Sequence, residues 1–212
     1  HFRRAEELFL KWVGPFTPNG VDLAAALRSV ELGNITVSGY GVKAFGLSMV
    51  EAAVTATQGA VPSSVLGDLV DHVHDLLREP VELLPHVPEV LAALGEHHRL
   101  VLITKGDLVH QTRKINTSGL DHLFDRIGVV LEKDTETYQR LLSEWSIDPT
   151  GFAMVGNSVP SDVLPVLAFG GRAVHIPYHV TWEHETVDAS DHEFPVLESI
   201  VELPALVDSW DE

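Results

Sequence analysis

The order of hydrophobic and polar positions divides the chain into a helical first part and an alternating second part. Apolar side chains recur at helical spacing through residues 2–13, and Gly14-Pro15 is typical of a helix end. Further helices are predicted over residues 22–32, 48–57 and 62–77, the last with Pro62 at its start. No convincing strand precedes about residue 98, so the pattern predicts an all-helical segment up to Pro80.

After Pro80 short apolar runs rich in β-branched residues alternate with amphipathic segments. Strands are predicted over residues 99–103, 127–131, 152–155 and 173–176. Helices are predicted over 87–94, 107–118, 135–145, 161–169 and 204–210, with Asp134 as an N-cap and Gly119 just past a helix end. This alternation is the signature of βαβ units, so we expect an α/β fold with a doubly wound parallel sheet and a separate helical segment.

The composition limits the partners and the cellular location that we expect for the protein. The 212 residues carry a net charge of −17, from 31 acidic and 14 basic side chains, and show no basic run, so we expect neither nucleic-acid nor membrane binding. The chain contains no cysteine, which excludes disulfides, thiolate catalysis and zinc–thiolate sites. No apolar stretch reaches the roughly 20 residues of a membrane span, and no signal peptide is visible. We expect a cytoplasmic protein and leave its oligomeric state open.

Thr104 directly follows the first predicted strand. Ligands of open parallel sheets bind beyond the carboxyl ends of the strands. The Thr104 hydroxyl, with the backbone N–H groups of Lys105 and Gly106, could therefore hold a phosphoryl oxygen at a helix N-terminus. The alternative is an ordinary turn in which Asp107 only caps the next helix.

Two further segments follow strands in the same way. Lys133 could neutralise an anionic intermediate, or it could be a solvent-exposed loop lysine. In the segment Gly156–Asp162, Gly156 permits a tight turn, and Asn157 and Asp162 offer the oxygen ligands that Mg²⁺ prefers. The alternative is that Asp162 or its neighbour only caps the following helix.

The three segments together resemble motifs two, three and four of the haloacid dehalogenase-like (HAD) hydrolase superfamily. Thr104 and Lys133 are separated by 29 residues, and Lys133 and Asn157 by 24, spacings that fit the superfamily. Leu84-Pro85-His86-Val87 is similar to the family's entry into the helix before strand two. The resemblance covers roughly residues 81–180, about half of the chain.

The resemblance implies specific roles. Thr104, with the amides of Lys105 and Gly106, would bind the transferred phosphoryl group, and Lys133 would stabilise the nucleophile and the developing charge. Asp162 and Asn157 would hold Mg²⁺ directly or through water, although Asn157 stands where phosphatases of the superfamily usually carry Asp. The family's nucleophilic Asp, and the Asp two residues later that acts as acid and base, would lie upstream of His1. Residues 1–14 would then be a core helix following that strand, 15–80 an inserted helical cap and 81–212 the α/β core.

The resemblance leaves three functions open. The first is a Mg²⁺-dependent phosphatase of a small phosphorylated metabolite that acts through a phospho-aspartyl intermediate. The second is a 2-haloacid dehalogenase, which would need no Mg²⁺. The third is a catalytically silent relative that binds a ligand or a partner protein. A further hypothesis is that Tyr40 and Lys43, in a glycine-rich turn between cap helices, reach the substrate.

Overall fold

The computed structural model describes residues 2–178 and 193–210, and the chain divides into two compact units. The helical unit comprises His1–Pro80 together with Gly106–Gln111, and the α/β unit comprises Val81–Lys105 with Thr112–Glu212. The boundary between the units after Pro80 coincides with the predicted change from an all-helical segment to alternating strands and helices. Among the described residues, no helix is long and apolar enough to cross a membrane.

The helical unit is built from amphipathic helices separated by glycine- and proline-containing turns. Its helices are α1 (Phe2–Val13), α2 (Leu23–Ser38), α3 (Val42–Ala56) and α4 (Ser63–Arg78). The Asp22 side chain caps α2 by accepting a hydrogen bond of 3.0 Å from Ala25 N. Helices α2 and α3 are longer than predicted, because the chain first breaks at Gly39 and Gly41, whose φ angles are 69° and 113°.

Helix α1 packs with the other helices of this unit. Ala5, Phe9 and Val13 are fully buried in one hydrophobic cluster with Met49 of α3 and Leu69 of α4. The packing thus differs from the sequence-based assignment of residues 1–14 to the α/β core. The apolar stripe of α1 fits a helix–helix contact as well as a helix–sheet contact, and periodicity alone does not choose between them.

The α/β unit shows the predicted alternation of strands and helices. Its elements are α5 (Val87–Gly95), β1 (Val101–Lys105), α6 (Leu108–Ser118, whose first residues belong to the helical unit), β2 (Arg126–Val130), α7 (Thr135–Glu144), β3 (Ala153–Gly156), α8 (Leu164–Leu167), β4 (Arg172–His175) and α9 (Leu203–Asp208). Gly119 follows α6 with φ 72°, and Asp134 caps α7 by accepting from Thr137 N at 2.8 Å, as predicted. The predicted α/β class with parallel strands is confirmed.

The strands form two parallel pairs. Thr104 of β1 lies opposite Val129 of β2, and Val155 of β3 lies opposite Val174 of β4. Within residues 2–178 and 193–210, no ladder joins β1 to β3. Both pairs nevertheless share one core, because Ile103 of β1 belongs to the same buried cluster as residues of β2 and β4.

Beside the candidate site, two predicted elements differ from the structure in ways that move site residues. Strand β1 continues to Lys105, so Thr104 is the penultimate residue of the strand and does not follow it. The helix predicted over 161–169 is replaced by a wide π-helical turn, Val159–Val163, followed by the short helix α8. The turn is wide because the Asp162 side chain points back to the start of the turn, where it accepts a hydrogen bond from Ser158 N.

Candidate active site at the carboxyl ends of the strands

Lys133 and Asp162 form a shielded ion pair. Lys133 lies in the loop between β2 and α7, and its Nζ is 2.7 Å from Oδ1 of Asp162. The two side chains are only 12% and 5% exposed. The alternative that Lys133 is a solvent-exposed loop lysine is therefore wrong, and the ammonium group is fixed beyond the carboxyl end of a strand.

The second carboxylate oxygen of Asp162 closes the turn after β3. Ser158 N donates to Oδ2 at 3.0 Å, and Asp162 N donates to Ser158 O at 2.7 Å. A Cβ on Gly156 would lie 2.2 Å from Oδ2, so only glycine allows the carboxylate to approach the strand end. Asp162 does not cap α8, which begins at Leu164, so that alternative is also wrong.

Lys105 brings a second ammonium group to the same turn. Its Nζ donates to the Ser161 Oγ at 3.0 Å, and the buried Tyr138 hydroxyl donates to the Ser161 carbonyl at 3.0 Å. Burial, and next the charge of Asp162, raise the pKa of Tyr138, so the phenol stays a protonated donor. The sequence indicates only the backbone N–H of Lys105 as a site group. The signal for its side chain is its position at the carboxyl end of the strand, where ligands of parallel sheets bind.

Thr104 is partly buried as the penultimate residue of β1. Gly106 follows with φ 136°, a conformation that favours glycine. Asp107 caps α6 by accepting a hydrogen bond of 2.8 Å from His110 N, as the alternative had proposed. The phosphate-binding roles of Thr104, Lys105 and Gly106 stay predictions.

Tyr40 lies between α2 and α3, and Lys43 lies in the first turn of α3. The Lys43 Nζ is 3.0 Å from Oδ1 of Asp107 and 3.1 Å from its Oδ2, within the helical unit. Burial of Asp107 opposes its ionisation, but the hydrogen bond from His110 N and the Lys43 ammonium together keep its pKa below the usual value. Contact of Tyr40 and Lys43 with substrate stays a prediction.

The oxygen donors near the turn are suitable for Mg²⁺ only in part. The Asn157 side chain is exposed directly after β3 and offers an amide oxygen. Asp162 already binds Lys133 and Ser158 N, so it is better placed to act through water than as a direct ligand. In the ranges 2–178 and 193–210, no three His, Asp or Glu side chains form a cluster that could hold a metal ion. A hard cation would therefore need further carboxylate or phosphate oxygens.

Fold and site together define a parallel α/β protein with a lysine–carboxylate pair at the carboxyl ends of its strands. A haloacid dehalogenase-like family hydrolase from Xanthomonas campestris has 37% sequence identity to the chain and superposes with a TM-score of 0.86. The match covers 98% of this chain and 83% of that one. The chain belongs to the HAD-like hydrolase family.

More distant solved structures share the fold alone. A HAD-hydrolase from Bacillus subtilis, YfnB, bound to magnesium, has 13% identity and a TM-score of 0.59 over 97% of this chain and 92% of that one. An L-2-haloacid dehalogenase from Xanthobacter autotrophicus with chloropropionic acid covalently bound has 16% identity and a TM-score of 0.59, over 96% and 93%. No protein-family model and no curated protein sequence matches the chain.

Proposed function

We propose that this protein hydrolyses a small-molecule phosphate ester through a phospho-aspartyl intermediate, with Mg²⁺ as cofactor. The observation that carries the proposal is the fixed ammonium group of Lys133, which Asp162 holds beyond the carboxyl end of β2. A fixed cation in a shielded site stabilises the charge of a phosphoryl group without reorganising during the reaction. The chain's net charge of −17 makes such a local arrangement necessary for an anionic substrate.

The residues at this site would have different roles in binding and stabilising the phosphoryl group. The Thr104 hydroxyl and the N–H groups of Lys105 and Gly106 would hold the oxygens of the transferred group. Lys133 would neutralise charge on the attacking and transferred oxygens. The Lys105 side chain, anchored on Ser161, would add a second ammonium group at the same strand ends.

The nucleophile of this proposal is an aspartate upstream of His1. Its carboxylate oxygen attacks phosphorus, the bond between phosphorus and the ester oxygen breaks, and a second acid protonates the leaving alcohol. Water then attacks the phospho-aspartyl group, which releases phosphate and restores the carboxylate. The arrangement of the strands supports this proposal, because a further parallel strand between β1 and β3 would join the two pairs into one sheet.

Mg²⁺ would supply neutralising charge at the phosphoryl oxygens. Asn157 would offer its amide oxygen to the cation, and Asp162 would act through water while it orients Lys133. The magnesium bound to YfnB supports the choice of cation by analogy of fold. Carboxylates on the upstream strand and the substrate phosphate would complete the ligand set.

Hydrolytic dehalogenation of a 2-haloacid is the second candidate, and Asn157 is the observation that favours it. An amide in place of a carboxylate lowers the affinity for a divalent cation, and the charge of Asp162 is already balanced by Lys133. The aspartate carboxylate would then displace halide from carbon, and water would hydrolyse the resulting ester. The neighbour with covalently bound chloropropionic acid supports this alternative by analogy of fold.

Hydrolysis of two probe substrates separates the candidates. The purified protein is incubated with p-nitrophenyl phosphate and, separately, with L-2-chloropropionate, each with Mg²⁺ or with excess EDTA. We expect release of p-nitrophenol that requires Mg²⁺ and no release of chloride. Chloride release that persists in EDTA would replace the phosphatase by the dehalogenase, and inactivity on both probes, in a protein that includes the upstream segment, would favour a ligand-binding relative.

A further inference from the structure

The imidazole of His175 contacts the backbone of Asn157, the residue that precedes the closed turn. His175 is the last residue of β4, and its Nε2 lies 3.1 Å from the carbonyl oxygen of Asn157. A carbonyl oxygen can only accept a hydrogen bond, so Nε2 must carry the proton and donate. The contact therefore requires Nε2 to be the donor and holds the ring in position.

The ring of His175 is held by its own backbone and by a neighbouring aromatic side chain. His175 N donates to Pro195 O at 2.9 Å, and Leu197 N donates to His175 O at 2.9 Å. The ring of Phe194 packs edge-on against the imidazole, with ring centroids 6.3 Å apart and an interplanar angle of 75°. The segment around residue 196 thus extends the β3–β4 pair and supports the donor.

On its other side, Asn157 is followed by a rigid anchor. Ser158 is 5% exposed, and its N–H and carbonyl groups both bind Asp162. On the strand side, Ile176 N donates to Gly156 O at 2.9 Å, so His175 is the contact that holds the carbonyl of the exposed Asn157 between these two anchored neighbours. These contacts together leave the Asn157 backbone little freedom, so the point from which its side chain extends is set before any ligand binds.

We propose that His175 is a positioning residue that orients Asn157 for the ligand or substrate bound at the ends of the strands. The role rests on the proposed function, in which Asn157 offers its amide oxygen to the cation. His175 does not need to contact substrate. Its Nε2–H holds the Asn157 carbonyl, and the peptide plane in turn sets where the Asn157 amide oxygen can reach.

His175→Gln and His175→Leu separate this role from simple packing. Gln keeps an N–H donor at a reach similar to that of Nε2, whereas Leu fills the space without a donor. We expect His175→Leu to lower kcat/KM for p-nitrophenyl phosphate about tenfold, the effect of one lost hydrogen bond. His175→Gln should restore it to within about threefold, and His97→Gln, at an exposed histidine of the same unit, should leave it unchanged.

Nuclear magnetic resonance of the full chain tests the contact independently of turnover. We expect the His175 ring to carry its proton on Nε2, and the carbonyl ¹³C resonance of Asn157 to move in His175→Leu and to return in His175→Gln. A ring with an unprotonated Nε2, or a carbonyl resonance that does not move in His175→Leu, would overturn the proposal. Equal kcat and KM in wild type and His175→Leu would overturn it as well.

The kinetic and nuclear magnetic resonance measurements distinguish a failure of the positioning role from a failure of the proposed function. Wild-type protein that is inactive on p-nitrophenyl phosphate would count against the phosphatase. The ring tautomer and the Asn157 carbonyl resonance would still decide whether His175 holds Asn157. If His175→Gln lowers kcat/KM as much as His175→Leu while both unfold at the wild-type temperature, the donor role is wrong.

Discussion

The ammonium of Lys133 and the carboxylate of Asp162 form an ion pair that is almost completely shielded from water. The Nζ–Oδ1 distance is 2.7 Å, and the carboxylate also accepts the Ser158 N–H at 3.0 Å. Breaking a buried pair by removing one partner leaves an uncompensated charge, whereas removing both charges often costs much less. The pair therefore makes Lys133 a structural residue as well as a candidate catalytic one.

Lys133→Ala should reduce both turnover and stability. Loss of the ammonium leaves the Asp162 carboxylate buried and unpaired, and we expect the free energy of unfolding to fall by about 3–5 kcal/mol. Turnover should fall by orders of magnitude, because the fixed charge at the site is lost. Urea denaturation and hydrolysis assays measure the two effects, and Lys114→Ala, at an exposed lysine of α6, is the control.

Adding Asp162→Asn to Lys133→Ala separates charge from packing. The amide leaves no buried charge, so the double variant should be more stable than Lys133→Ala alone. It should remain inactive, since the ammonium group is still absent. A double variant that is less stable than Lys133→Ala would argue against charge burial as the cause, and near-wild-type turnover in Lys133→Ala would remove Lys133 from the mechanism.

Gly156→Ala should displace the Asp162 carboxylate. The added Cβ would lie 2.2 Å from Oδ2 and 2.6 Å from the Asp162 Cβ, so the turn after β3 must open. We expect a loss of about 1–3 kcal/mol of unfolding free energy from overpacking, together with lower kcat, as Lys133 loses its fixed partner. Gly151→Ala is a matched control, because nothing lies within 4 Å of a Cβ at that position. Equal melting temperatures for the two variants would contradict the predicted close contact.

Asn157→Asp should strengthen binding of Mg²⁺ if the cation binds after β3. A carboxylate adds the negative charge that the amide lacks, so the Mg²⁺ concentration for half-maximal activity should fall, by about tenfold for 1.4 kcal/mol of added interaction. Titration of wild type and variant with Mg²⁺, by activity and by calorimetry, measures the change. Unchanged affinity in both titrations would place the cation away from residue 157.

The sequence predicted where the candidate site residues lie along the fold, but not their contacts with each other. Order and spacing placed Thr104, Lys133 and Asp162 at strand ends, because parallel strands bring their carboxyl ends to one edge. The ion pair between Lys133 and Asp162 was not predicted, since a contact between side chains 29 positions apart depends on the path of two loops. Spacing could identify the two residues, but it could not show that they contact each other.

Other features could not be predicted because they depend on tertiary packing. Two hydrogen bonds to Ser161 are examples: one comes from Lys105 and the other from the Tyr138 hydroxyl. They form only when the two strand pairs share a core. Helix α1 was assigned to the α/β core from sequence, but Phe9 is buried among the helices of the helical unit. An amphipathic stripe predicts that a face is buried but does not identify the surface that covers it.

Glu31 should make the helical unit less stable as pH rises. Burial, and next the nearby charge of Glu6, raise the pKa of Glu31 from 4.5 to about 7, against a smaller opposing effect of Arg28. The folded state thus holds a proton that the unfolded state releases between pH 4.5 and 7. Stability from this group is complete below pH 4.5 and is lost as pH rises through about 7.

Glu31→Gln removes this dependence. We expect the variant and wild type to unfold at similar urea concentrations at low pH, and the variant to be the more stable one at pH above 7, because the amide carries no charge to bury. Glu7→Gln, at an exposed position of α1, controls for the change in net charge. Parallel stability curves for Glu31→Gln and wild type across this range would show that Glu31 titrates normally.

Gly46 and Gly33 should respond in opposite directions to the same substitution. Both lie inside helices, where alanine usually stabilises by about 0.4–1 kcal/mol through the unfolded state. At Gly33 nothing lies within 4 Å of an added Cβ, so we expect Gly33→Ala to raise the melting temperature.

At Gly46 the added Cβ would lie 2.5 Å and 2.9 Å from the two γ-methyl groups of Val73 on α4. Overpacking usually lowers the free energy of unfolding by about 1–3 kcal/mol. This loss exceeds the stabilisation expected from alanine in a helix, so Gly46→Ala should lower the melting temperature. Val73→Ala in the same chain should recover part of the loss, because it removes the clashing methyl groups. Stabilisation by Gly46→Ala alone would mean that α3 and α4 can separate at little cost, and that Gly46 is not needed for their close approach.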